Sequence, residues 1–241
     1  MVPGLVVSAR PVVADKTVRV TAARLGGLGG LLAFGTFNAG WIAGDFAQPA
    51  TFSPANNDIS DLGALTASSP WLYNQLAANV SGLLVILLGV CLWRALSPSS
   101  LGRVGAAALI VTGTGAFFDG VFRLDCQGID VGCDNDSWHA HAHKIESGFT
   151  AGATFVALLV LALAFRRIPE WRDSWLPTVA ALPAVFLANL AFSSVGDGAA
   201  TRAGTVVVFA AIAFMAFRLL QKGTGPRASP KGRRAGATQI A

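Results

Sequence analysis

The chain has 241 residues, of which 53% are hydrophobic and 13% are charged. Because soluble domains carry about 25% charged residues, this composition excludes an ordinary soluble globular protein and indicates an integral membrane protein. The formal net charge is +5, and the position of the charges along the chain is more informative than their sum.

Six stretches are long and apolar enough to form membrane-spanning helices of about 20 residues. They lie near residues 25–45, 71–95, 104–124, 145–166, 175–195 and 202–221. The sequence therefore predicts an all-α bundle of six transmembrane helices over 25–221. A basic N-terminal segment, 1–24, precedes it, and the tail 222–241 has the Gly, Pro and basic residues typical of disorder.

The positive charges predict the orientation of the bundle. With both termini in the cytoplasm, every basic residue faces that side except Arg123, Lys144 and Arg202, as the positive-inside rule requires. We therefore predict a multi-pass protein of the plasma (inner) membrane. The basic tail suits topology and attraction to anionic lipid better than nucleic-acid binding, and the oligomeric state stays open.

Acidic and amide side chains cluster in the predicted outer loops. The first outer loop, DFAQPATFSPANNDISDLGA, is long, and the second carries several aspartates ahead of the histidines. The predicted cytoplasmic loops are short and basic and contain no comparable set. We therefore expect any functional site to open outward.

Asp119 lies about a turn and a half inside the third predicted span. An ionisable side chain at that depth is costly and is a functional candidate by default. Arg123 follows four residues later and would share its helical face. Two interpretations stay open and can coexist: an ion pair that makes the helix end tolerable, and a carboxylate that orients a ligand.

All three histidines lie in NDSWHAHAHKIESG, residues 135–148. If the fourth helix begins near Ser137, then His139, His143 and Glu146 form one stripe and His141 points away. Two imidazoles at i and i+4 can chelate one divalent ion, and a catalytic zinc takes about three protein ligands and a water. The third ligand would come from one of three aspartates, Asp119, Asp125 or Asp61.

Two other interpretations of the histidines stay open. A neutral histidine can act as a general base without a metal, and histidine beside Trp138 can simply anchor a helix end at the membrane interface.

Cys126 and Cys133 lie in the second outer loop, whereas Cys91 lies within the second span. Because a thiol pair on the exported side normally oxidises, a disulfide closing CQGIDVGC is predicted. A thiolate metal pair is the alternative.

Four blocks of sequence carry a family resemblance. They are FSPANNDISDLGA after the first span, GVFRLDC at the end of the third, CDNDSWHAHAHKIESG at the start of the fourth, and Arg202 at the start of the sixth. In these blocks the chain resembles the "domain of unknown function 998" family of six-span prokaryotic membrane proteins. Arg123 departs from the family pattern, which often has proline there.

The resemblance implies the six-span fold and leaves the activity unsettled. The layout is also loosely similar to the alkaline ceramidase and adiponectin-receptor-like membrane hydrolases, which place a Ser, an Asp and several His around zinc at one membrane face. That similarity is an analogy of fold only.

The leading hypothesis is a metal-dependent hydrolase with an outward-facing site for a lipid-like substrate. His139 and His143 would bind zinc, with an aspartate such as Asp125 completing the set. The other candidates divide by role into catalytic carboxylates and substrate-binding side chains: Asp119, Asp61, Glu146 and Asp58 for catalysis, and Arg123, Arg202, Ser60 and Asn189 for substrate. For Asn189, the alternative to substrate binding is a structural role in hydrogen bonding between helices.

Two alternative functions belong to other classes of protein. In a metal-free isoprenoid (terpene) cyclase, a buried Asp119 or Asp61 would protonate an olefin or epoxide. A transporter subunit, sensor or assembly factor would use the polar cluster structurally and the Cys126–Cys133 loop as a partner surface.

Overall fold

The computed structural model describes residues 12–224, which form six long helices and their connections. The helices are α1 (Val12–Ala47), α2 (Leu72–Ala95), α3 (Ser100–Asp119), α4 (Trp138–Arg167), α5 (Trp175–Ser193) and α6 (Asp197–Thr224). Each is long and apolar enough to cross a membrane, and the described residues contain no strand. The prediction of an all-α, six-span membrane protein is confirmed. The predicted segments 1–24 and 222–241 lie partly outside the described residues.

Two helices that carry the site differ from the predicted spans. α3 ends at Asp119, because the chain turns at Gly120 directly against α2, where an added Cβ would lie 2.3 Å from the Asn74 carbonyl oxygen. α4 begins at Trp138, since the Ser137 hydroxyl accepts a hydrogen bond from the Ala140 N–H and so caps the helix. The histidines are therefore helical although they lie ahead of the apolar run.

The six helices form a closed ring. Each packs against its neighbours in chain order, and α6 returns to α1. Large apolar side chains such as Leu88, Leu161 and Met215 fill the contacts and are fully buried. α5 is the least buried of the six spans, and its large side chains face outward, where lipid would solvate them.

α2 is not a uniform helix. Its first part, Leu72–Val80, is π-helical, and the α-helical part follows over Ser81–Ala95. π-Helical turns, whose hydrogen bonds join residues i and i+5, are rare and frequently occur at functional sites. This stretch carries Tyr73, which is buried.

The two ends of the bundle differ in polarity. The segments 48–71, 120–137 and 194–196 meet at one end, here called the loop-rich end. There the Thr66 hydroxyl donates to Asp130 over 2.5 Å, and the Ala199 N–H donates to the Ala55 carbonyl over 2.9 Å. The opposite end has short connections and an ion pair between Arg218 and Asp173. The acidic loops identified in the sequence thus come together.

Candidate functional site

A cluster of three ionisable side chains lies between α3 and α4 at the loop-rich end. Asp119, His143 and Glu146 each offer one metal-ligating atom, and these atoms lie within 4.8 Å of one another. Among the described residues, this is the one such group of His, Cys, Asp and Glu. Asp119 is the last residue of α3, and the other two are three residues apart near the start of α4, so both lie on the face toward α3.

Asp119 and His143 form a pair in which His143 is buried and Asp119 is partly buried. The His143 Nδ1 atom lies 3.3 Å from Asp119 Oδ1 and 2.9 Å from the carbonyl oxygen of Phe122. The Tyr73 hydroxyl donates to the other Asp119 oxygen over 2.7 Å. Both carboxylate oxygens of Asp119 therefore have a partner, which fixes the orientation of that side chain.

Only one of the two carboxylate oxygens of Glu146 has a hydrogen-bond partner. Its Oε1 atom accepts a hydrogen bond from the Thr150 hydroxyl, whereas its Oε2 atom is buried and has no hydrogen-bond partner. Gly115 on α3 makes room for this arrangement, since an added Cβ there would lie 1.7 Å from the Thr150 hydroxyl oxygen. A buried polar atom without a partner is costly, which suggests that a ligand completes it.

A groove of about 400 Å³ runs between α3 and α4 past Glu146. Its walls are mostly apolar and come from both helices: Val111, Thr114 and Phe118 from α3, and Ala142, Ile145 and Phe149 from α4. At its loop-rich end Phe118, Phe122 and Trp138 form an aromatic row, with ring centroids 5.4 and 6.2 Å apart. Of the cluster, Glu146 lies beside this groove, which opens on the outer, lipid-facing surface of the bundle.

Residues 31–218 match the model of one protein family, described as "Protein of unknown function (DUF998)". The chain belongs to the DUF998 family. The resemblance carried by the sequence motifs is thereby confirmed, and the matched range includes the whole Asp119–His143–Glu146 cluster. Neither a curated protein nor a solved structure matches this DUF998 chain. Since the DUF998 description states no activity, the function is argued from the site itself.

The predicted metal set of His139, His143 and Asp125 does not come together in this DUF998 protein. His139 stacks on Trp138 with ring centroids 3.6 Å apart. The Asp125 carboxylate accepts from the Ser137 N–H over 2.9 Å, and hydrogen bonds from Ser137 lower its pKa. Of the three, only His143 reaches the cluster, because His139 lies one turn nearer the aromatic row.

Arg123 and Arg202, the predicted substrate-binding arginines, lie outside the cluster. Since α3 ends at Asp119, Arg123 lies beyond the helix, and Asp119 pairs with His143 instead of Arg123. Arg202 is buried and donates to both Asp45 oxygens, over 2.7 and 3.1 Å, and to the Asn57 carbonyl over 2.7 Å. With its donors so engaged, Arg202 closes the contact between α6 and α1.

Asp61 and Asp58 lie in the first loop, away from the cluster's helices. Asp61 accepts from the Gly128 N–H over 3.2 Å, and burial raises its pKa against the lowering effect of that hydrogen bond. Asp58 is exposed and accepts from the Thr201 hydroxyl over 3.2 Å. Asp61 therefore ties the first loop to the second, and Asp58 ties the first loop to α6. The half-buried Ser60 lies between them in sequence.

Asn189 lies on α5, on the far side of α4 from the groove. Its side-chain amide donates to the Val185 carbonyl over 2.8 Å and packs against Gly204 of α6, where an added Cβ would be 2.3 Å from the amide nitrogen. This placement suits helix packing, the alternative that the sequence left open.

Cys126 and Cys133 form a disulfide, with their Cα atoms 6.2 Å apart. The side chain of Asn135 accepts from the N–H groups of Asp125 and Cys126 over 2.7 and 3.1 Å. Together these contacts hold the segment that leads from α3 to α4 and so support the Phe122 carbonyl at the site.

The sequence did not point to Tyr73, Thr150 or Gly115. Tyr73 is the only tyrosine in the chain, which was the available signal, but its helix gave no sign that it faces Asp119. Gly63 explains part of the Ser60–Gly63 motif: an added Cβ would lie 2.3 Å from the Asn74 side-chain oxygen and 2.8 Å from the Tyr73 ring. Gly63 therefore allows the first loop to pack closely against Asn74 and Tyr73.

Proposed function

We propose that this protein is a metal-dependent hydrolase that acts on a lipid-like substrate at the loop-rich end of the bundle. The observation that supports the proposal is the convergence of Asp119, His143 and Glu146 within 4.8 Å. Imidazole nitrogen and carboxylate oxygen are the usual ligands of catalytic zinc, which takes about three protein ligands and a water.

The spacing between Asp119 and His143 suits two ligands of a tetrahedral ion. Zinc bonds of about 2.0–2.2 Å place two ligand atoms roughly 3.3 Å apart, and Asp119 Oδ1 and His143 Nδ1 are 3.3 Å apart. Because Glu146 Oε2 has no hydrogen bond, the third ligand atom is available without the loss of an existing contact.

A bound zinc would supply an activated water for attack on a carbonyl. The protein would contribute the orientation of the ligands. Tyr73 holds Asp119 by its hydrogen bond of 2.7 Å, which is the role of a partner behind a metal ligand. The groove beside Glu146 would admit an apolar substrate from the bilayer.

A second candidate, a metal-free acid–base enzyme such as an isoprenoid cyclase, is favoured by one contact. His143 Nδ1 lies 2.9 Å from the Phe122 carbonyl oxygen, which is hydrogen-bond length. A ring nitrogen that faces two oxygen acceptors carries a proton, so Nε2 would be the base. The candidates thus differ in whether Nδ1 binds a metal or donates a hydrogen bond.

Metal analysis of the purified protein separates them. We expect about one zinc per chain in the wild type, and loss of zinc in His143→Ala and Glu146→Gln. His141→Ala is the matched control, because the His141 ring is exposed and forms a hydrogen bond with the Ser137 carbonyl oxygen, 2.9 Å away, outside the cluster.

His139→Ala decides which ligand set is right. Retention of zinc in this variant supports the Asp119–His143–Glu146 cluster, whereas its loss would favour the i, i+4 histidine pair. A wild-type protein that holds no metal and binds no added zinc would overturn the hydrolase proposal in favour of the metal-free candidate.

A further inference from the structure

We infer that Thr150 is a positioning residue for Glu146: its hydroxyl holds one carboxylate oxygen, Oε1, and so leaves the other, Oε2, to bind the proposed metal ion. The inference rests on the proposed function, since it assigns a further role at the same site. Thr150 lies on α4, about one helical turn beyond Glu146, and both side chains face Gly115 of α3.

The hydrogen bond of Thr150 differs from those of neighbouring helical threonines. A threonine hydroxyl in a helix commonly donates to a backbone carbonyl oxygen of the preceding turn. Three other threonines of α3 and α4 each donate to the carbonyl oxygen four residues earlier, over 2.8 to 3.1 Å: Thr112, Thr114 and Thr154. Thr150 donates instead to the side chain of the residue at that position, Glu146. Its hydroxyl is therefore directed at the carboxylate and not at its own helix.

Gly115 allows α3 to pack closely against this pair of side chains. An added Cβ at Gly115 would lie 2.9 Å from the Thr150 Cβ and 2.9 Å from Glu146 Oε1, closer than side chains ordinarily approach. A larger residue at this position would therefore push the Thr150 hydroxyl or the carboxylate aside. The hydrogen bond between Thr150 and Glu146 thus depends on the missing side chain of Gly115.

This arrangement gives the two Glu146 oxygens different roles. Oε1 accepts from the Thr150 hydroxyl, whereas the buried Oε2 has no hydrogen-bond partner. A carboxylate that binds a metal is commonly held by a hydrogen bond from a group behind it, which orients the ligand. Tyr73 stands in this relation to Asp119, and Thr150 stands in the same relation to Glu146. Both carboxylate ligands of the proposed metal ion would therefore be oriented by a hydroxyl group.

Zinc titration of the full chain in detergent, against a competing chelator, tests the inference. Thr150→Val keeps the branched shape of the side chain and removes the hydroxyl, and we expect it to bind zinc about 10–100-fold more weakly. Thr150→Ser retains the hydroxyl and should restore an affinity close to that of the wild type. Thr154→Val is the matched control, because Thr154 is buried between α3 and α4 but donates within its own helix, and its zinc affinity should stay unchanged.

Gly115→Ala tests the same hydrogen bond without a change at Thr150. The added methyl group displaces the Thr150 hydroxyl, so zinc binding should weaken as it does in Thr150→Val, and this variant decides the question if Thr150→Val does not fold. Gly152→Ala is the matched control, since an added Cβ there meets no atom within 4 Å. Unchanged zinc affinity in folded Thr150→Val would overturn the inference, as would a loss in Thr150→Ser equal to that in Thr150→Val.

A readout without metal separates this inference from the hydrolase proposal. Glu146 and Glu170 are the only glutamates in the sequence, so protein labelled with ¹³C at the glutamate carboxyl carbon gives two NMR signals, which Glu170→Gln assigns. In metal-free protein at one fixed pH, the Glu146 signal should shift in Thr150→Val and return in Thr150→Ser. This result in a protein that binds no zinc would refute the hydrolase alone. A Glu146 signal that is unchanged in Thr150→Val would overturn the positioning role of Thr150.

Discussion

Two largely buried acid–base pairs lie at the loop-rich end, and they differ in how many of their polar atoms have hydrogen-bond partners. In the Asp45–Arg202 pair, the guanidinium donates to both carboxylate oxygens and to the carbonyls of Asn57 and Gly198. In the Asp119–His143 pair, the neighbouring Glu146 keeps a buried oxygen without a partner. The first pair is held by four hydrogen bonds from the guanidinium, whereas the second lies beside a carboxylate oxygen that has no hydrogen bond.

The positions of the two pairs agree with this difference. Asp45 and Arg202 are 157 residues apart in the chain and join α1 to α6, which closes the ring of helices. Asp119 and His143 join consecutive helices beside a groove that opens to lipid. One pair thus serves the fold, and the other is the candidate site. The following substitutions test that distinction.

Arg202→Met should have the largest effect on stability. It leaves Asp45 as a buried charge without its partner, and breaking such a pair costs about 3–5 kcal/mol. Thermal unfolding of the protein in detergent measures the loss. Arg123→Met is the matched control, because Arg123 is only half-buried, and its unfolding temperature should stay close to that of the wild type. Equal effects of the two substitutions would refute the structural role of Arg202.

Glu146→Gln should abolish zinc binding and leave the stability nearly unchanged. The variant loses a metal ligand, so zinc binding is abolished, but the stability changes by no more than about 1 kcal/mol, since one carboxylate oxygen has no partner to lose. Glu170→Gln is the matched control, because Glu170 is exposed at the opposite end of the bundle. A strong loss of stability in Glu146→Gln would show that Glu146 serves the fold, like Asp45.

Tyr73→Phe should weaken zinc binding without abolishing it. Removal of the hydroxyl leaves one Asp119 oxygen without its partner and the ring packing intact. Loss of a partner behind a metal ligand typically lowers metal affinity by about 10–100-fold. Zinc titration against a competing chelator measures this. Unchanged zinc affinity in a folded variant would mean that Tyr73 does not orient Asp119.

The fold was predictable because hydropathy is a property of each segment by itself. Six apolar runs gave six helices, and Ser137 gave the start of α4. The end of α3 was missed because it depends on contact between Gly120 and the backbone of α2, a contact that no local pattern records. The same error produced the expected pair of Asp119 and Arg123.

The site was only partly predictable for the same reason. Helical periodicity identified His143 and Glu146 as neighbours on one face, and the depth of Asp119 marked it as a candidate. Periodicity also grouped His139 with them, because it takes no account of the aromatic side chains that hold that ring. Tyr73 and Arg202 meet their partners across 46 and 157 residues of sequence, and such pairings follow only from the tertiary structure.

The smallest expected effect concerns Asp125, which lies next to the site without belonging to it. The hydroxyl and N–H groups of Ser137 lower the pKa of Asp125, so its carboxylate stabilises the start of α4 above the ordinary aspartate pKa. That stabilisation is lost as the pH falls through the lowered value. In hydrogen exchange, protection of the first turn of α4 should fall on acidification in the wild type, and should be weaker and less pH-dependent in Asp125→Asn. Asp136→Asn, at an exposed neighbouring position, should keep the wild-type profile, and an identical response of both variants would exclude Asp125 as the titrating group.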